Sequence, residues 1–139
     1  MKKFTSVLLI LSFLSIALFG CYSPDQILAN EMIEKYSDNN NYVELSGEVV
    51  EFDNNYIIIK CEELKEYIGY EDDFCNYQIY SDKVLDLNVG DKIDFITVPF
   101  HFYNGHRLPI VELIKDGETL LILEEGKANL IEWVNTTFK

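Results

Sequence analysis

Val43-Glu44-Leu45-Ser46-Gly47-Glu48-Val49-Val50-Glu51-Phe52-Asp53 is the stretch on which the fold turns. Val43, Leu45, Gly47 and Val49 alternate with Glu44, Ser46 and Glu48, the period-two pattern of a strand with one buried face. Val50 and Phe52 fall out of phase with that run, so the strand is expected to bend or bulge near Gly47. Asp53-Asn54-Asn55 has turn chemistry. Tyr56-Ile57-Ile58-Ile59-Lys60-Cys61 is rich in β-branched residues and reads as the return strand.

Further along, Glu62 to Asn76 is an acidic insertion, with a short helix expected from Glu62 to Ile68, broken at Gly69. Tyr77 to Tyr80 reads as a third strand, and Leu87-Asn88-Val89-Gly90-Asp91 turns the chain into a fourth from Lys92 to Val98. Pro99 lacks a ladder donor and marks an edge or bulge. Asn104-Gly105 is a hairpin signal, expected to join Phe100 to Tyr103 with a fifth strand from Leu108 to Ile114. Asp116-Gly117 turns again into a short sixth strand from Thr119 to Leu123. Lys127, Leu130, Ile131, Val134 and Phe138 share one face of a C-terminal helix.

Before the first strand, Ser23, Pro24 and Gln26 have the spacing of a capping box with proline at the first helical position. Leu28, Met32 and Tyr36 then recur every four residues, and Asn39-Asn40-Asn41 ends that helix. The expected fold class is mainly β with flanking helices. Five strands in meander order, a long bent first strand and a Val-Gly-Asp turn before the fourth resemble the OB-fold from Tyr42 to Ile114. The resemblance implies a small five-stranded barrel with a ligand groove over strands two and three; another small barrel or sandwich would give a similar pattern.

The first twenty residues have a different character. Lys2 and Lys3 precede an apolar run from Phe4 to Phe19, which closes on Leu18-Phe19-Gly20-Cys21. Leu18, Gly20 and Cys21 resemble the lipobox of the bacterial lipoprotein family, although Phe19 is bulkier than the family's usual residue. The resemblance implies cleavage after Gly20 and lipid (palmitate-type acyl chains) on Cys21. It also implies export, with the protein held on the cell membrane or outer membrane and facing outside the cytoplasm. A plain secretory signal and an uncleaved membrane helix remain open beside it. The chain is thus divided into a signal peptide (1–20), a lipidated N-terminus and helix (21–41), and a barrel domain with its C-terminal helix (42–139).

Net charge narrows the partners. The sequence has 11 basic and 24 acidic residues, net −13. Losing Lys2 and Lys3 with the signal takes away two positive charges and leaves −15. Such a surface repels phosphate backbones, so nucleic acid is not expected as a partner. The expected partners are the membrane, through the lipid, and an envelope protein or glycan.

Candidate chemical groups are few. Cys61 and Cys75 flank the acidic insertion and are expected to form a disulfide in an oxidising compartment, the other reading being two buried thiols. His101 and His106 are the only histidines and lie on either side of Asn104-Gly105. They are weak candidates for a metal site or a general base, against the reading of a polar hairpin tip. Glu71-Asp72-Asp73 lacks the ligand spacing of a calcium loop. On an OB-type barrel Tyr56 and Tyr77 could stack on a ligand, or else be core, with Arg107 available for a carboxylate or sulfate. No catalytic set, phosphate loop or dinucleotide fingerprint is present, and no cofactor is expected. The expected role is a non-enzymatic binding or interaction module at the cell envelope. A small enzyme or metal-binding protein using His101 and His106, and a structural lipoprotein without a ligand, are the alternatives.

Overall fold

The computed structural model describes residues 22–68 and 74–138. Residues 1–20, where a signal is expected, Cys21, Lys139 and the run from Gly69 to Asp73 lie outside these residues. Among the described residues, no helix is long and apolar enough to cross a membrane.

Helix α1 (Pro24–Ser37) starts on the capping box read from the sequence. The Gln26 amide donates to Ser23 Oγ at 3.2 Å, and the Ser23 amide donates to Gln26 Oε1 at 3.1 Å. Two amides that lack helical acceptors are satisfied in this way. The Asp38 carboxylate then accepts from the Asn40 amide and opens a 3-10 turn, Asn39–Asn41, into the first strand.

The strands are β1 (Val43–Asp53), β2 (Tyr56–Lys60), β3 (Phe74–Ile79), β4 (Lys92–Thr97), β5 (Leu108–Lys115) and β6 (Glu118–Leu121). β1 pairs antiparallel with β2 and β4, β2 with β3, and β4 with β5. A parallel pairing of β3 with β5 closes the ring. The result is a closed five-stranded, OB-like barrel to which β6 adds along the far half of β5. A 3-10 turn (Glu62–Leu64) and the short helix α2 (Lys65–Ile68) follow β2, and helix α3 (Leu123–Thr137) ends the described chain.

The bend expected near Gly47 has two parts. A Cβ on Gly47 would overlap the Ile59 side chain and come within 2.7 Å of the Lys60 carbonyl oxygen, so β1 crosses β2 closely there. Three residues on, Val49 faces Ile59 while Glu51 faces Ile58, which leaves Val50 as a bulge. The extra residue turns Val50 outward and brings Phe52 back against the core. The turn before β4 is pinned by charge, with Lys115 Nζ 2.9 Å from Asp91 and the Asn88 amide donating to the same carboxylate.

Two apolar cores result. The barrel interior holds Leu45, Val49, Ile57, Ile59, Tyr77, Ile79, Phe95 and Leu113, all buried. The second core lies under the helices and joins Met32 and Tyr36 of α1 and Leu130 and Val134 of α3 to Val98 and Val111. Burying each such side chain is worth about 1.5–3 kcal/mol. α3 rests directly on β5, since a Cβ on Gly126 would collide with the Val111 carbonyl. It begins at Leu123, ahead of the expected face, with Glu124 and Glu125 in its first turn, where carboxylates suit the helix dipole.

The expected hairpin at Asn104-Gly105 is corrected. β4 stops at Thr97, β5 starts at Leu108, and residues 98–107 form a loop without strand pairing. Pro99 has no amide to give a ladder, and the Thr97 hydroxyl donates across to the Pro109 carbonyl at 2.7 Å.

Candidate ligand cleft at the 98–107 loop

The loop is built around a turn, a half-buried Phe102 and a buried His106. The His106 amide donates to the Tyr103 carbonyl at 3.1 Å, and Gly105 has φ +80°. That conformation belongs to the third position of a type II turn and is open to glycine without strain. Beneath it, Phe102 packs edge-on against Tyr36 of α1, with ring centroids 5.4 Å apart. His106 lies beside them, buried, with Nε2 3.0 Å from the Tyr36 hydroxyl. Tyr103 covers His106 from outside at 5.1 Å and remains 41% exposed.

Burial, followed by the charge of neighbouring His101, pushes the His106 imidazole down to about 4; the nearby Phe100 carbonyl partly opposes this. The ring is therefore neutral near pH 7. Burial also lifts the Tyr36 hydroxyl far above the ordinary tyrosine range, so it keeps its proton. One hydrogen bond links the two side chains whichever ring nitrogen bears the hydrogen. His106 Nδ1 is buried with no hydrogen-bond partner among the described residues.

The chain leaves the loop through Arg107, the only arginine in the sequence. Its guanidinium lies over the ring of Tyr56, 3.9 Å from the centroid. Tyr56 in turn donates from its hydroxyl to Asn76 Oδ1 at 2.9 Å. That bond leaves the Asn76 amide hydrogens available to a ligand. Tyr56 and Asn76 project from the outer face of β2 and β3, where alternation sends Ile57, Ile59, Cys75 and Tyr77 into the barrel.

Between loop and strands lies a cleft of about 620 Å³. Tyr56, Asn76, Arg107 and His101 supply its polar groups, and Tyr103 and Asn104 its rim. No carboxylate is among the described residues that line it. On a chain with 24 acidic residues, the described lining of the cleft carries Arg107 and no acid. A cation with free N–H groups, held on a ring beside an amide, suits an oxyanion of planar or tetrahedral shape.

The sequence candidates are separated by this geometry. Tyr56 and Arg107 come together in the cleft. Tyr77 does not join them, being fully buried with its ring edge-on to Phe95 at 5.1 Å. His101 and His106 do approach, at 6.3 Å between centroids, but His106 is directed at Tyr36. Among the described residues, no group of three histidine, cysteine or acidic side chains is placed to hold a metal ion. Cys61 and Cys75 are buried in the barrel core as free thiols, and Cys75 faces Ile59 across the sheet. Burial raises both thiols, Cys75 to about 11. Cys21 lies outside the described residues.

Asn76 and Tyr36 were not legible as site residues. The alternation Phe74-Cys75-Asn76-Tyr77-Gln78-Ile79 is a strand signal that extends into the acidic insertion and would have placed Asn76 on the outer face. No local signal links Tyr36 to a loop 70 residues away. Comparison with family models, curated proteins and solved structures finds no match to this chain.

Proposed function

We propose that this chain is a lipid-anchored, non-enzymatic binding module of the bacterial cell envelope. In this reading the cleft between the 98–107 loop and the outer face of β2 and β3 takes a ligand carrying a carboxylate or sulfate. One observation carries the choice of ligand: the only arginine lies on Tyr56 in a cleft whose described lining has no acid. The lipobox pattern at Leu18, Gly20 and Cys21 supports the anchor, and the net charge argues against nucleic acid. The burial of His106 and its bond to Tyr36 disfavour an enzyme built on the two histidines.

Calorimetric titration with acidic and sulfated oligosaccharides, each beside an uncharged counterpart, tests the cleft. Binding of the charged member alone, weakened at least tenfold by Arg107→Ala and less by Arg107→Lys, is the expected result. Equal binding by Arg107→Ala would remove the cleft from the function. Metabolic labelling with a fatty-acid probe tests the anchor, and equal label on wild type and Cys21→Ser would refute it.

A further inference from the structure

A second hollow, apolar but for the amides of Gln26, Asn30 and Asn135, lies between α1 and α3. Tyr22, Ala29 and Ile33 line it from the N-terminal segment and α1, and Val134, Asn135 and Phe138 from the end of α3. No carboxylate is among the described residues of this lining either. Tyr22 is 67% exposed, and Ile27, in the early part of α1, is exposed as well. Phe138 links the hollow to the cleft, since its ring is 6.2 Å from that of Tyr103 on the cleft rim. Tyr22, Phe138 and Tyr103 thus mark out a strip from the hollow to the cleft, which ends beside Arg107.

We infer that this strip is a membrane-seating face, on which the domain rests against the bilayer that holds its lipid, with the cleft at headgroup level. The inference rests on the lipid-anchor reading. The occupant follows from chain length: no residue separates Cys21 from Tyr22, and α1 starts at Pro24. A lipid on Cys21 therefore brings Tyr22 to the headgroup layer with no tether to lift the domain away. Tyrosine rings suit that layer because one end is apolar and the other polar. A bilayer surface is rich in phosphate, and the described residues of both linings carry no carboxylate to be repelled by it. An anionic group recognised by Arg107 would then belong to a molecule in or close to the membrane rather than one in bulk solution.

The test uses the full, lipidated protein on phosphatidylcholine vesicles. Single cysteines at Tyr103→Cys, Asn135→Cys and Val84→Cys are labelled with an environment-sensitive fluorophore. Cys61 and Cys75 are buried with raised thiols and are expected to react poorly under native conditions, and the protein without an introduced cysteine is the labelling control. Asn135 is an exposed residue of the hollow, so its replacement spares the core. Val84, fully exposed at 101%, lies next to Lys83, which bonds Glu125 near the start of α3, away from Phe138. Blue-shifted emission and quenching by brominated lipid at positions 103 and 135, with neither at 84, is the expected result. Equal quenching at all three positions, or none at any while the protein stays on the vesicles, overturns the seating face and leaves the anchor standing. Wild type that takes up no fatty-acid label and does not bind vesicles overturns both.

Discussion

The Tyr36 hydroxyl lies 3.0 Å from Nε2 of His106, across 70 residues of sequence, and this bond fastens the cleft loop to helix α1. Removing the hydroxyl leaves a buried nitrogen unsatisfied, at a cost of about 1–3 kcal/mol. Tyr36→Phe should lower the urea midpoint accordingly and increase amide exchange through residues 101–107, while the barrel strands keep their protection.

The same histidine gives stability a pH dependence. Its folded value is pushed down to about 4 from an ordinary 6.5, so the unfolded chain takes up the proton first as pH falls. Its contribution is complete above the unfolded value and is lost as pH drops toward the folded one. Between pH 7.5 and 4.5 the loss amounts to about 2–3 kcal/mol, since each tenfold difference in proton affinity between the folded and unfolded chain is worth about 1.4 kcal/mol. Carboxylates titrate in part of this window too, so the comparison is with His106→Gln. Denaturant melts of that variant should show a pH slope shallower by about that amount; parallel slopes would place His106 in solvent.

Gly126→Ala sets two effects against each other. Alanine is better than glycine inside a helix by about 1 kcal/mol. The new Cβ, however, would collide with the Val111 carbonyl and lie 2.8 Å from Val111 Cα, atoms fixed in β5. Overpacking against rigid backbone costs about 1–3 kcal/mol or more. The expected outcome is net destabilisation in thermal melts, whereas a gain would mean that α3 can lift from the barrel freely.

Tyr56 and Tyr77 lie on neighbouring strands and should behave oppositely. Tyr77→Ala empties the barrel core and should cost about 3–5 kcal/mol. Tyr56→Ala removes a half-buried ring and an exposed cation contact, and should cost far less in stability while weakening ligand binding with Arg107→Ala. A binding loss no larger in Tyr56→Ala than in a surface control would separate the ring from the cleft.

The thiols of Cys61 and Cys75 can be counted directly. Free and buried, Cys61 and Cys75 should resist alkylation in the native protein and both react in denaturant without reductant. An intact mass two protons lighter than the reduced form would instead show the disulfide expected from sequence.

Much of the fold was legible because its signals are local. The capping box at Ser23 and Gln26, the alternation from Val43 to Val49 and the turn at Asp53-Asn54-Asn55 each depend on neighbours within a few residues. The facing of Tyr56 and Tyr77 was not legible, since a one-residue change of register exchanges inside and outside. Asn104-Gly105 misled because its turn is real, with Gly105 left-handed, but the flanking residues form no strand ladder, and Phe102 and Arg107 pack on Tyr36 and Tyr56 instead. The division at residue 42 separated helix α1 from the barrel, whereas Met32 and Tyr36 share a core with Val98 and Val111. That core depends on contacts between distant segments, which no window of sequence displays.

The ring of strands closes between β3 and β5 through only three facing pairs, Tyr77 with Leu108, Gln78 with Pro109 and Ile79 with Ile110. Pro109 has no amide hydrogen to contribute, and parallel pairing is slightly weaker per residue than the antiparallel ladders elsewhere in the ring. This seam is therefore where the barrel is most easily parted, much as a hoop opens at its clasp. The clasp adjoins Arg107 and the cleft, so a ligand bridging Asn76 and Arg107 would hold the two sides of the seam together and slow its breathing.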